Sequence, residues 1–360
     1  MSIGIIGAGQ LGRMLALAGY PLGQRFVFVD VDEDAPGAQV GRIIRGRFDS
    51  PAALAALAAS VDVVTFDVEN VPQSAAEAVA AKVPFYPPPE ALGAGQDRLD
   101  EKHLFHSLGI PTAPFAPVDS QQALVEAAES LGLPAILKTR RLGYDGRGQV
   151  RIDTPEDLND AFVGLGGVPA ILEGLVRFDR ELSLIGVRGR DGATAFWPLA
   201  ENVHVNGMLR QTRAPWNDAG LQADAERHVL ALLERFDYVG VLTVEFFCVG
   251  NRLLANEMAP RVHNSGHWTI EGAVTSQFEN HVRAILGLPL GSTKSTGHAG
   301  MVNFIGQLPP LADTLAVEGA HYHDYGKAAR PGRKLGHCTV VRDAAAERDA
   351  ALEHLLRLAG

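Results

Sequence analysis

The sequence has few cysteines, few lysines and an excess of acidic residues, and each feature excludes a class of protein. Its 360 residues include two cysteines and six lysines, and the formal net charge is −10. The cysteines, Cys248 and Cys338, are widely separated, and Cys248 lies in an apolar run, which favours core positions over a disulfide or zinc site. An acidic chain lacks the basic face that non-specific nucleic-acid binding requires. We therefore expect no nucleic-acid partner.

The sequence also lacks a long hydrophobic run. No apolar stretch approaches the ~20 residues that cross a bilayer, and the N-terminus has neither a charged n-region nor a cleavable hydrophobic region. We therefore expect no membrane association and a cytoplasmic location. A hydrophobic content of 46% over 360 residues predicts two or three globular domains with ample core.

Short apolar runs alternate with alanine-rich helical stretches over residues 1–95. The runs at 3–6, 26–29 and 63–66 show no period-2 alternation, which is typical of parallel strands buried on both faces. The prolines at 87–89 end this region because they exclude both helix and inner strand. The pattern predicts a doubly wound α/β domain.

The first predicted strand leads into Gly7-Ala-Gly-Gln-Leu-Gly12, and Asp30 ends the second predicted strand. Glycines that admit a phosphate to a helix N-terminus, followed by an acid for a ribose hydroxyl, form the dinucleotide-binding fingerprint. Taken alone, this segment favours a nicotinamide-dependent dehydrogenase. The same turn also occurs where a strand must enter a helix tightly or hold a monophosphate or a sugar, so the rest of the chain decides.

A lysine and a glycine-rich loop follow in the next region. Lys138 ends an apolar stretch, and the segment 139–149 contains three glycines. Backbone amides of such a loop can close over a polyphosphate while the lysine neutralises its charge. The pattern is not a P-loop, because the lysine precedes the glycines. The alternative is a glycine-rich hairpin with a surface lysine, but a lysine next to a buried strand needs an anionic partner.

Two acidic residues lie in neighbouring strand patterns that are joined by Gly250-Asn251. A three-residue turn would put Glu245 opposite Glu257, whereas a two-residue turn would put Asn256 there. In either case two or three oxygen ligands converge, and a metal–nucleotide complex would relieve the repulsion between facing carboxylates. The alternative is a pair of solvated glutamates on an exposed sheet face.

These features occur in the order found in a known superfamily. The lysine strand, the glycine loop, Glu173-Gly-Leu-Val176, Glu181 and the paired acids resemble the ATP-grasp ligases. More narrowly, the chain resembles the N5-carboxyaminoimidazole ribonucleotide synthetase family of purine biosynthesis. The segments that carry this resemblance, of which the last two are the most specific, are 7–14, 69–72, 143–149, 259–268 and 330–337.

The resemblance implies an ATP-grasp fold with an N-terminal Rossmann-like, pre-ATP-grasp domain and a small β-rich C-terminal unit. The corresponding ranges are 1–95 for the N-terminal domain, 96–288 for the ATP-grasp domain and 289–360 for the terminal unit. Within the ATP-grasp domain, a lid subdomain at about 96–172 precedes a larger β-rich subdomain at about 173–288. This family uses a dinucleotide-like fold without a dinucleotide. We also expect a homodimer.

The reaction that the resemblance implies is that of an ADP-forming carbon–nitrogen ligase. ATP would phosphorylate bicarbonate, and the resulting carboxyphosphate, or CO2 released from it, would carboxylate the exocyclic amine of aminoimidazole ribonucleotide. The implied cofactors are ATP and Mg²⁺, for which Mn²⁺ is an alternative. The protein then has to position the reactants, cancel phosphate charge and exclude water.

The resemblance assigns the nucleotide to residues from the lid and from the larger subdomain. Glu173 and Val176 would frame the adenine edge, and Glu181 would bind the ribose hydroxyls. Glu245 and Glu257 would carry magnesium. The full set expected to bind ATP is Arg98, Lys138, Gly143, Tyr144, Asp145, Gly146, Arg147, Gly148, Gln149, Glu173, Gly174, Leu175, Val176, Glu181, His204, Asn256 and Glu257.

The resemblance assigns the other reactants to two further groups of residues. Guanidinium and amide donors suit a planar oxyanion, so Arg261, His263, Asn264 and Ser265 fit a catalytic anion pocket. A dense basic cluster around a Pro-Gly turn would hold the 5′-phosphate, and its alternative is a basic surface turn. The residues expected to bind the ribonucleotide are Gln10, Leu11, Glu69, Asn70, Tyr144, Asp145, Arg147, Lys327, Arg333 and Lys334.

Several functions are open at this point. A carboxylating ATP-grasp ligase accounts for the whole chain, and an ATP-grasp ligase that acts on another phosphorylated substrate would share its machinery. A dehydrogenase leaves Lys138, the acid pair and the C-terminal basic cluster unexplained. A catalytically inactive scaffold descended from the ligase is disfavoured, because the lysine, the glycine loop and both acids are present.

Overall fold

The computed structural model describes residues 1–143 and 146–360 of the chain, and its strands form three sheets. The roles expected for Tyr144 and Asp145 therefore lie outside the described residues. Within the described ranges, no helix has both the length and the apolar character that crossing a membrane would take. Cys248 and Cys338 are unbonded and buried, as expected from the sequence.

The N-terminal sheet is parallel. Its strands are β1 (Ser2–Ile6), β2 (Arg25–Asp30), β3 (Arg42–Arg45) and β4 (Val63–Phe66), in the order β3-β2-β1-β4. Its helices are α1 (Gln10–Gly19), α2 (Pro51–Ala58), α3 (Gln73–Ala80) and α4 (Pro89–Gly95). Almost every residue of β1 and β4 is buried, which explains why these strands read as continuous apolar runs. The expected parallel α/β arrangement is confirmed.

The second sheet has four antiparallel strands and carries the glycine loop. The elements of this part are α5 (Arg98–Ser107), β5 (Phe115–Val118), α6 (Gln121–Leu131), β6 (Ala135–Thr139), β7 (Gln149–Ile152), α7 (Leu158–Gly164) and β8 (Ala170–Gly174). The strand order is β5-β8-β6-β7. The glycine loop joins β6 to β7, so Lys138 lies at the end of a paired strand next to the loop, as the sequence predicts.

The third sheet is antiparallel and has nine strands. The strands are β9 (Arg180–Arg188), β10 (Thr194–Phe196), β11 (Ala200–Val205), β12 (Met208–Ala214), β13 (Gly240–Val249), β14 (Arg252–Ala259), β15 (His298–Ile305), β16 (Ala320–Asp324) and β17 (Lys334–Arg342). Eight follow the order β14-β13-β9-β11-β12-β15-β17-β16, and β10 pairs with β9. The helices are α8 (Ala219–Arg235), α9 (Thr269–Gly272), α10 (Gln277–Leu286), α11 (Leu311–Leu315) and α12 (Ala345–Ala359).

This large sheet runs across the expected boundary at residue 289. Strand β15 pairs with β12, with Val302 opposite Gln211, so the C-terminal strands extend the sheet of the ATP-grasp part. The terminal segment also ends in a long helix, α12, which the interpretation of this unit as β-rich did not include. Leu352 and Leu355 of α12 are fully buried in the same apolar cluster as Val302 and Phe304. The exact domain limits stay a prediction.

The Asp67 side chain occupies the space beside the glycines of the Gly7–Gly12 segment. The Gly12 amide donates a hydrogen bond of 3.0 Å to Asp67 Oδ2, and a Cβ placed on Gly7, whose φ is +98°, would lie 1.8 Å from Asp67 Oδ1. Asp30 accepts from the Ala8 amide at 2.9 Å. Burial raises the pKa of Asp67 to about 6. A side-chain carboxylate thus lies at the helix N-terminus, where a dinucleotide would place its pyrophosphate.

Because of this internal anion, we expect neither NADH nor NADPH to bind. Titrating the purified protein with each cofactor while following nicotinamide fluorescence checks this expectation, with a known dehydrogenase as the positive control. A saturable change at micromolar cofactor would restore the dehydrogenase hypothesis.

Candidate active site

The hairpin of β13 and β14 brings the two expected metal acids face to face. Val249 pairs with Arg252 across a two-residue turn, a register that would place Asn256 opposite Glu245. The register shifts by one residue between Phe246 and Glu245, so Glu245 pairs with Glu257 instead. The shift is a β-bulge, in which Asn256 is the extra residue of β14. The turn is therefore the shorter of the two predicted lengths, whereas the acid pairing is the one predicted for the longer turn.

The two facing acids differ in exposure and in the direction of their pKa shifts. The Glu245 side chain is only 14% exposed, whereas that of Glu257 is 41% exposed, so the alternative of two solvated glutamates fails at Glu245. Burial and the facing Glu257 carboxylate raise the pKa of Glu245. Burial acts on Glu257 in the same direction, but Arg98 and Lys138 outweigh it and lower the pKa of Glu257. Arg98 Nη1 lies 3.2 Å from Glu257 Oε2.

The hairpin fits a hard divalent cation that shares its ligands with a phosphate. Among the described residues, no group of three or more His, Cys, Asp or Glu side chains could hold a metal ion without help. Two facing carboxylates are what Mg²⁺ uses when substrate phosphates and water complete its shell. In addition, Asn256 Oδ1 is buried and has no hydrogen-bond partner, so a further oxygen next to Glu257 is available to a ligand.

Lys138 is held by a buried carboxylate. Its Nζ lies 3.0 Å from Glu173 Oε2, across the paired strands β6 and β8. Burial lowers the pKa of Lys138. For Glu173, burial acts to raise the pKa, but the charges of Lys138 and Lys102 outweigh it, so the pKa of Glu173 is lowered. Glu173 Oε1 is buried and unpaired, which leaves an acceptor for a ligand. Gly174, Leu175 and Val176 follow directly and lead from β8 towards β9.

Lys102 is a buried cation of this site that the sequence interpretation missed. Its Nζ lies 3.7 Å from Glu173 Oε2, and its side chain is 1% exposed. Lys102 follows Arg98 by one helical turn on α5, so both cations lie on the same face of that helix. The spacing was the available signal, but it is also typical of a solvated helix face.

The glycine loop is tied to the acid pair through Arg98. Arg98 Nη2 donates to the Gly143 carbonyl at 3.2 Å while its other amino group contacts Glu257. Gly146 and Gly148 adopt φ values of 75° and 70°, a conformation that favours glycine. Gln149 begins β7 on the far side of the loop.

Glu181 and His204 form a second polar group beside the acids. They come from the neighbouring strands β9 and β11, and His204 Nδ1 lies 2.7 Å from Glu181 Oε2. Burial opposes protonation of His204, but the Glu181 hydrogen bond and the charge of Glu245 raise its pKa. Two residues that the resemblance assigned to the nucleotide are thus brought together next to Glu245.

The expected anion pocket is only partly available to a ligand. His263 Nδ1 lies 3.9 Å from Glu245 Oε1 and 2.9 Å from Ser265 Oγ. Asn264 and Asn303 exchange two amide hydrogen bonds of 3.0 and 2.8 Å, so the Asn264 amide is committed within the protein. Burial lowers the pKa of His263 well below its ordinary value. Asn264 and the fully buried Ser265 shape this segment, whereas His263 borders the acids.

Arg261 links this segment to the N-terminal domain. Its Nη2 lies 3.1 Å from Glu69 Oε1. Burial raises the pKa of Glu69, although Arg261 opposes the change. The structure therefore brings these two expected site residues together. Leu11, in contrast, is buried in the core, so only its backbone can contact a ligand, and Asn70 and Arg147 are exposed.

Lys327 reaches across the molecule to the glycine fingerprint. Its ammonium donates a hydrogen bond to the Gln10 side chain at the start of α1. Burial, with Arg333 nearby, lowers the pKa of Lys327 to about 8. Arg333 donates to the Ala328 carbonyl at 3.1 Å, and Lys334 begins β17. The burial of Lys327 does not fit the alternative of a wholly solvated basic turn.

The two most specific sequence segments meet in the core. The His337 ring lies between His267 and His323, with ring centroids 4.8 and 4.2 Å apart. The Tyr325 hydroxyl is 2.8 Å from His337 Nδ1. This stack joins the segment that carries His263 to the strands that carry the basic cluster.

The strand order and these side chains define an ATP-grasp ligase. Family models match as an ATP-grasp domain over residues 103–278, a ribonucleotide synthetase preATP-grasp domain over 1–96 and a phosphoribosylaminoimidazole carboxylase C-terminal domain over 299–351. An N5-carboxyaminoimidazole ribonucleotide synthase of Pseudomonas aeruginosa is 54% identical over 340 residues, which cover 94% of each chain. The chain belongs to the N5-carboxyaminoimidazole ribonucleotide synthase family.

Solved structures of the family are similar over nearly the whole chain. The N5-carboxyaminoimidazole ribonucleotide synthetase of Thermus thermophilus has a TM-score of 0.95 and 55% identity, over 99% of this chain and 98% of the other. The enzyme of Aspergillus clavatus in complex with ADP and 5-aminoimidazole ribonucleotide has a TM-score of 0.93 and 31% identity, with the same coverage. The expected fold is thereby confirmed.

Glu257→Gln is expected to lower turnover by at least ~10²-fold, because it keeps the shape but removes one charge from the facing pair. Steady-state ADP release at saturating substrates measures the effect. Glu353→Gln, an exposed glutamate of α12, serves as the matched control and should retain wild-type turnover. A Glu257→Gln enzyme within threefold of wild type would mean that this carboxylate does not take part.

Proposed function

We propose that this chain catalyses the ATP- and bicarbonate-dependent carboxylation of 5-aminoimidazole ribonucleotide to N5-carboxyaminoimidazole ribonucleotide in purine biosynthesis, with release of ADP and phosphate. The observation that carries the proposal is the bulged hairpin, which sets Glu245 opposite Glu257 at a buried cationic cluster. The Aspergillus clavatus relative, which is described with ADP and the same ribonucleotide, supports the choice of substrate.

In this proposal the nucleotide lies between the lid and the large sheet. The free oxygen of Glu173 accepts from the adenine edge, and Glu181 with His204 holds the ribose. Lys138, Arg98 and the glycine-loop amides face the phosphates, whose charge they offset.

Magnesium is proposed to bind to Glu245 and Glu257, with Mn²⁺ as an alternative ion. Bound there, the cation would neutralise phosphate charge that develops during transfer. The protein's own contribution is to hold both carboxylates at one register and to surround them with Arg98 and His204.

Bicarbonate is proposed to bind between the acids and Arg261. A bicarbonate oxygen attacks the terminal phosphorus of ATP, the bond to the bridging oxygen breaks, and ADP leaves. The amine nitrogen of the ribonucleotide then bonds to the carboxyl carbon. Either it attacks carboxyphosphate and the carbon–oxygen bond to phosphate breaks, or it attacks CO2 that carboxyphosphate has released. In both cases the nitrogen loses one proton, which the released phosphate accepts. Arg261 and the neutral His263, which lies 3.9 Å from Glu245, position the carboxyl oxygens.

The ribonucleotide is proposed to lie between Glu69 and the basic cluster. Lys327, Arg333 and Lys334 bind its 5′-phosphate, and Gln10 and Glu69 contact the sugar or the base. The lysine–Gln10 contact supports this assignment, because it brings the cluster to the carboxyl end of the N-terminal sheet, where open α/β sheets bind ligands. A homodimer is also proposed, and light scattering after size-exclusion chromatography tests it.

ADP release should require Mg²⁺, aminoimidazole ribonucleotide and bicarbonate together, because carboxyphosphate exposed to water would be lost to hydrolysis. A coupled ADP assay in degassed buffer, with each component omitted in turn, measures this requirement. ATP hydrolysis at a comparable rate without the ribonucleotide would contradict the coupled reaction.

The two phosphate sites should respond separately to substitution. Lys334→Ala or Arg333→Ala should raise the KM for the ribonucleotide and leave that for ATP nearly unchanged, whereas Lys138→Ala should do the reverse. A lost charge-assisted hydrogen bond costs roughly 1.5–3 kcal/mol, and ~1.4 kcal/mol is a tenfold change in affinity. We therefore expect changes of about ten- to a hundredfold.

Steady-state kinetics with each substrate varied in turn distinguish the possibilities. Equal effects of both kinds of variant on both substrates would mean that the sites overlap. If the C-terminal variants had no effect, the cluster would be a basic surface turn.

A further inference from the structure

The bulge in β14 interrupts the regular hydrogen bonds between β13 and β14. Without the extra residue, the two-residue turn would place Asn256 opposite Glu245. Because side chains alternate along a strand, a shift of one residue would turn Glu257 to the other face of the sheet. A bulge also leaves backbone groups unpaired, and buried backbone groups need partners. Something outside the hairpin must therefore stabilise this register.

Helix α5 supplies partners on both sides of the bulge. Lys102 Nζ donates to the Asn256 carbonyl at 2.6 Å and contacts the Ala255 carbonyl at 3.4 Å. Glu101 Oε1 accepts from the Met258 amide at 2.7 Å. Two adjacent helix residues thus contact the backbone immediately before and after Glu257.

Both side chains are almost completely buried, with exposures of 2% for Glu101 and 1% for Lys102. Burying a lysine and a glutamate costs free energy unless each is hydrogen-bonded or paired, and apolar side chains of similar size would fill the space without that cost. Their polar atoms are used on the β14 backbone and, for Lys102, on Glu173. The hydrogen bonds to the β14 backbone therefore explain why this position has a polar pair and not two apolar side chains.

We propose that Glu101 and Lys102 are positioning residues that clamp the β14 bulge and so fix the register at which Glu245 and Glu257 bind magnesium. This inference rests on the proposed function for the identity of the metal. It predicts that loss of the clamp weakens metal binding more than nucleotide binding, because the cations that face the phosphates remain in place.

The chain offers matched substitutions for each half of the clamp. Glu101→Gln keeps an oxygen acceptor for the Met258 amide, whereas Glu101→Leu removes it. Lys102→Arg keeps a donor for the Asn256 carbonyl, whereas Lys102→Met removes it. Burial raises the pKa of Glu101 to about 8.

The test is a titration of Mn²⁺ into the full-length protein with ADP, followed by electron paramagnetic resonance of the free ion. ADP binding without metal is measured separately by calorimetry. Lys102→Met and Glu101→Leu should weaken Mn²⁺ binding by roughly ten- to a hundredfold, the usual effect of removing an outer-shell partner. Metal-free ADP binding should stay within threefold in Glu101→Leu, because Glu101 contacts no residue assigned to the nucleotide; Lys102 also pairs with Glu173, so its variants are judged by Mn²⁺ affinity alone. Glu101→Gln and Lys102→Arg should recover most of the metal affinity.

A purely structural role would give a different result. Phe105→Leu, which removes buried volume from the same helix, should lower the unfolding midpoint and leave Mn²⁺ affinity unchanged. Unchanged Mn²⁺ affinity in Lys102→Met and Glu101→Leu, or an equal loss of metal-free ADP binding in Glu101→Leu, would overturn the clamp. If Lys102→Met does not fold, Glu101→Leu decides alone. No Mn²⁺ binding by the wild type would overturn the proposed metal site instead.

Discussion

The carboxylates of Glu245 and Glu257 face each other across a hairpin and repel, and most of the candidate site is arranged around that repulsion. Arg98 contacts Glu257, and His204, whose pKa is raised, lies near Glu245. Lys138 and Lys102 share Glu173, and Lys102 also donates to the Asn256 carbonyl, so cations lie against the hairpin. The proposed divalent ion would complete this balance, and it would bring the nucleotide phosphates close to Lys138, one of only six lysines in the chain.

The parts of the fold that depend on local pattern could be predicted from the sequence. Continuous apolar runs identified the parallel sheet, and the position of Lys138 before the glycines placed the loop between two paired strands. The pairing of Glu245 with Glu257 was one of two predicted pairings, and the sequence connected it with a three-residue turn, whereas the structure has a two-residue turn and a bulge. The bulge that makes a two-residue turn compatible with facing acids depends on α5, whose contacts with β14 join residues more than 150 positions apart.

The remaining differences also involve distant partners. The glycine fingerprint suggested a dinucleotide. The side chain that lies beside it, Asp67, is 55 residues away from Gly12 along the chain, so the local pattern did not indicate that the site was occupied. Lys102 has the spacing of a solvated helix residue, and only the packing of α5 against the hairpin buries it. Asn264 looked like a donor for a ligand, but its amide is satisfied by Asn303 on another strand. In each case the residue type indicated the chemistry of the side chain, whereas the residue that it contacts depends on tertiary structure.

The nine-stranded sheet has a consequence for inhibitor chemistry. The acid pair and the start of β17 belong to one hydrogen-bonded sheet, and the His267–His337 contact braces the segment between them. The separation between the proposed metal and the proposed 5′-phosphate clamp is therefore set by a single framework, while the adenine contacts come partly from another sheet. A compound that links a metal-binding group to a phosphorylated sugar could therefore use a stiff spacer of one length. The length of that spacer would then decide whether both ends of the compound bind at once.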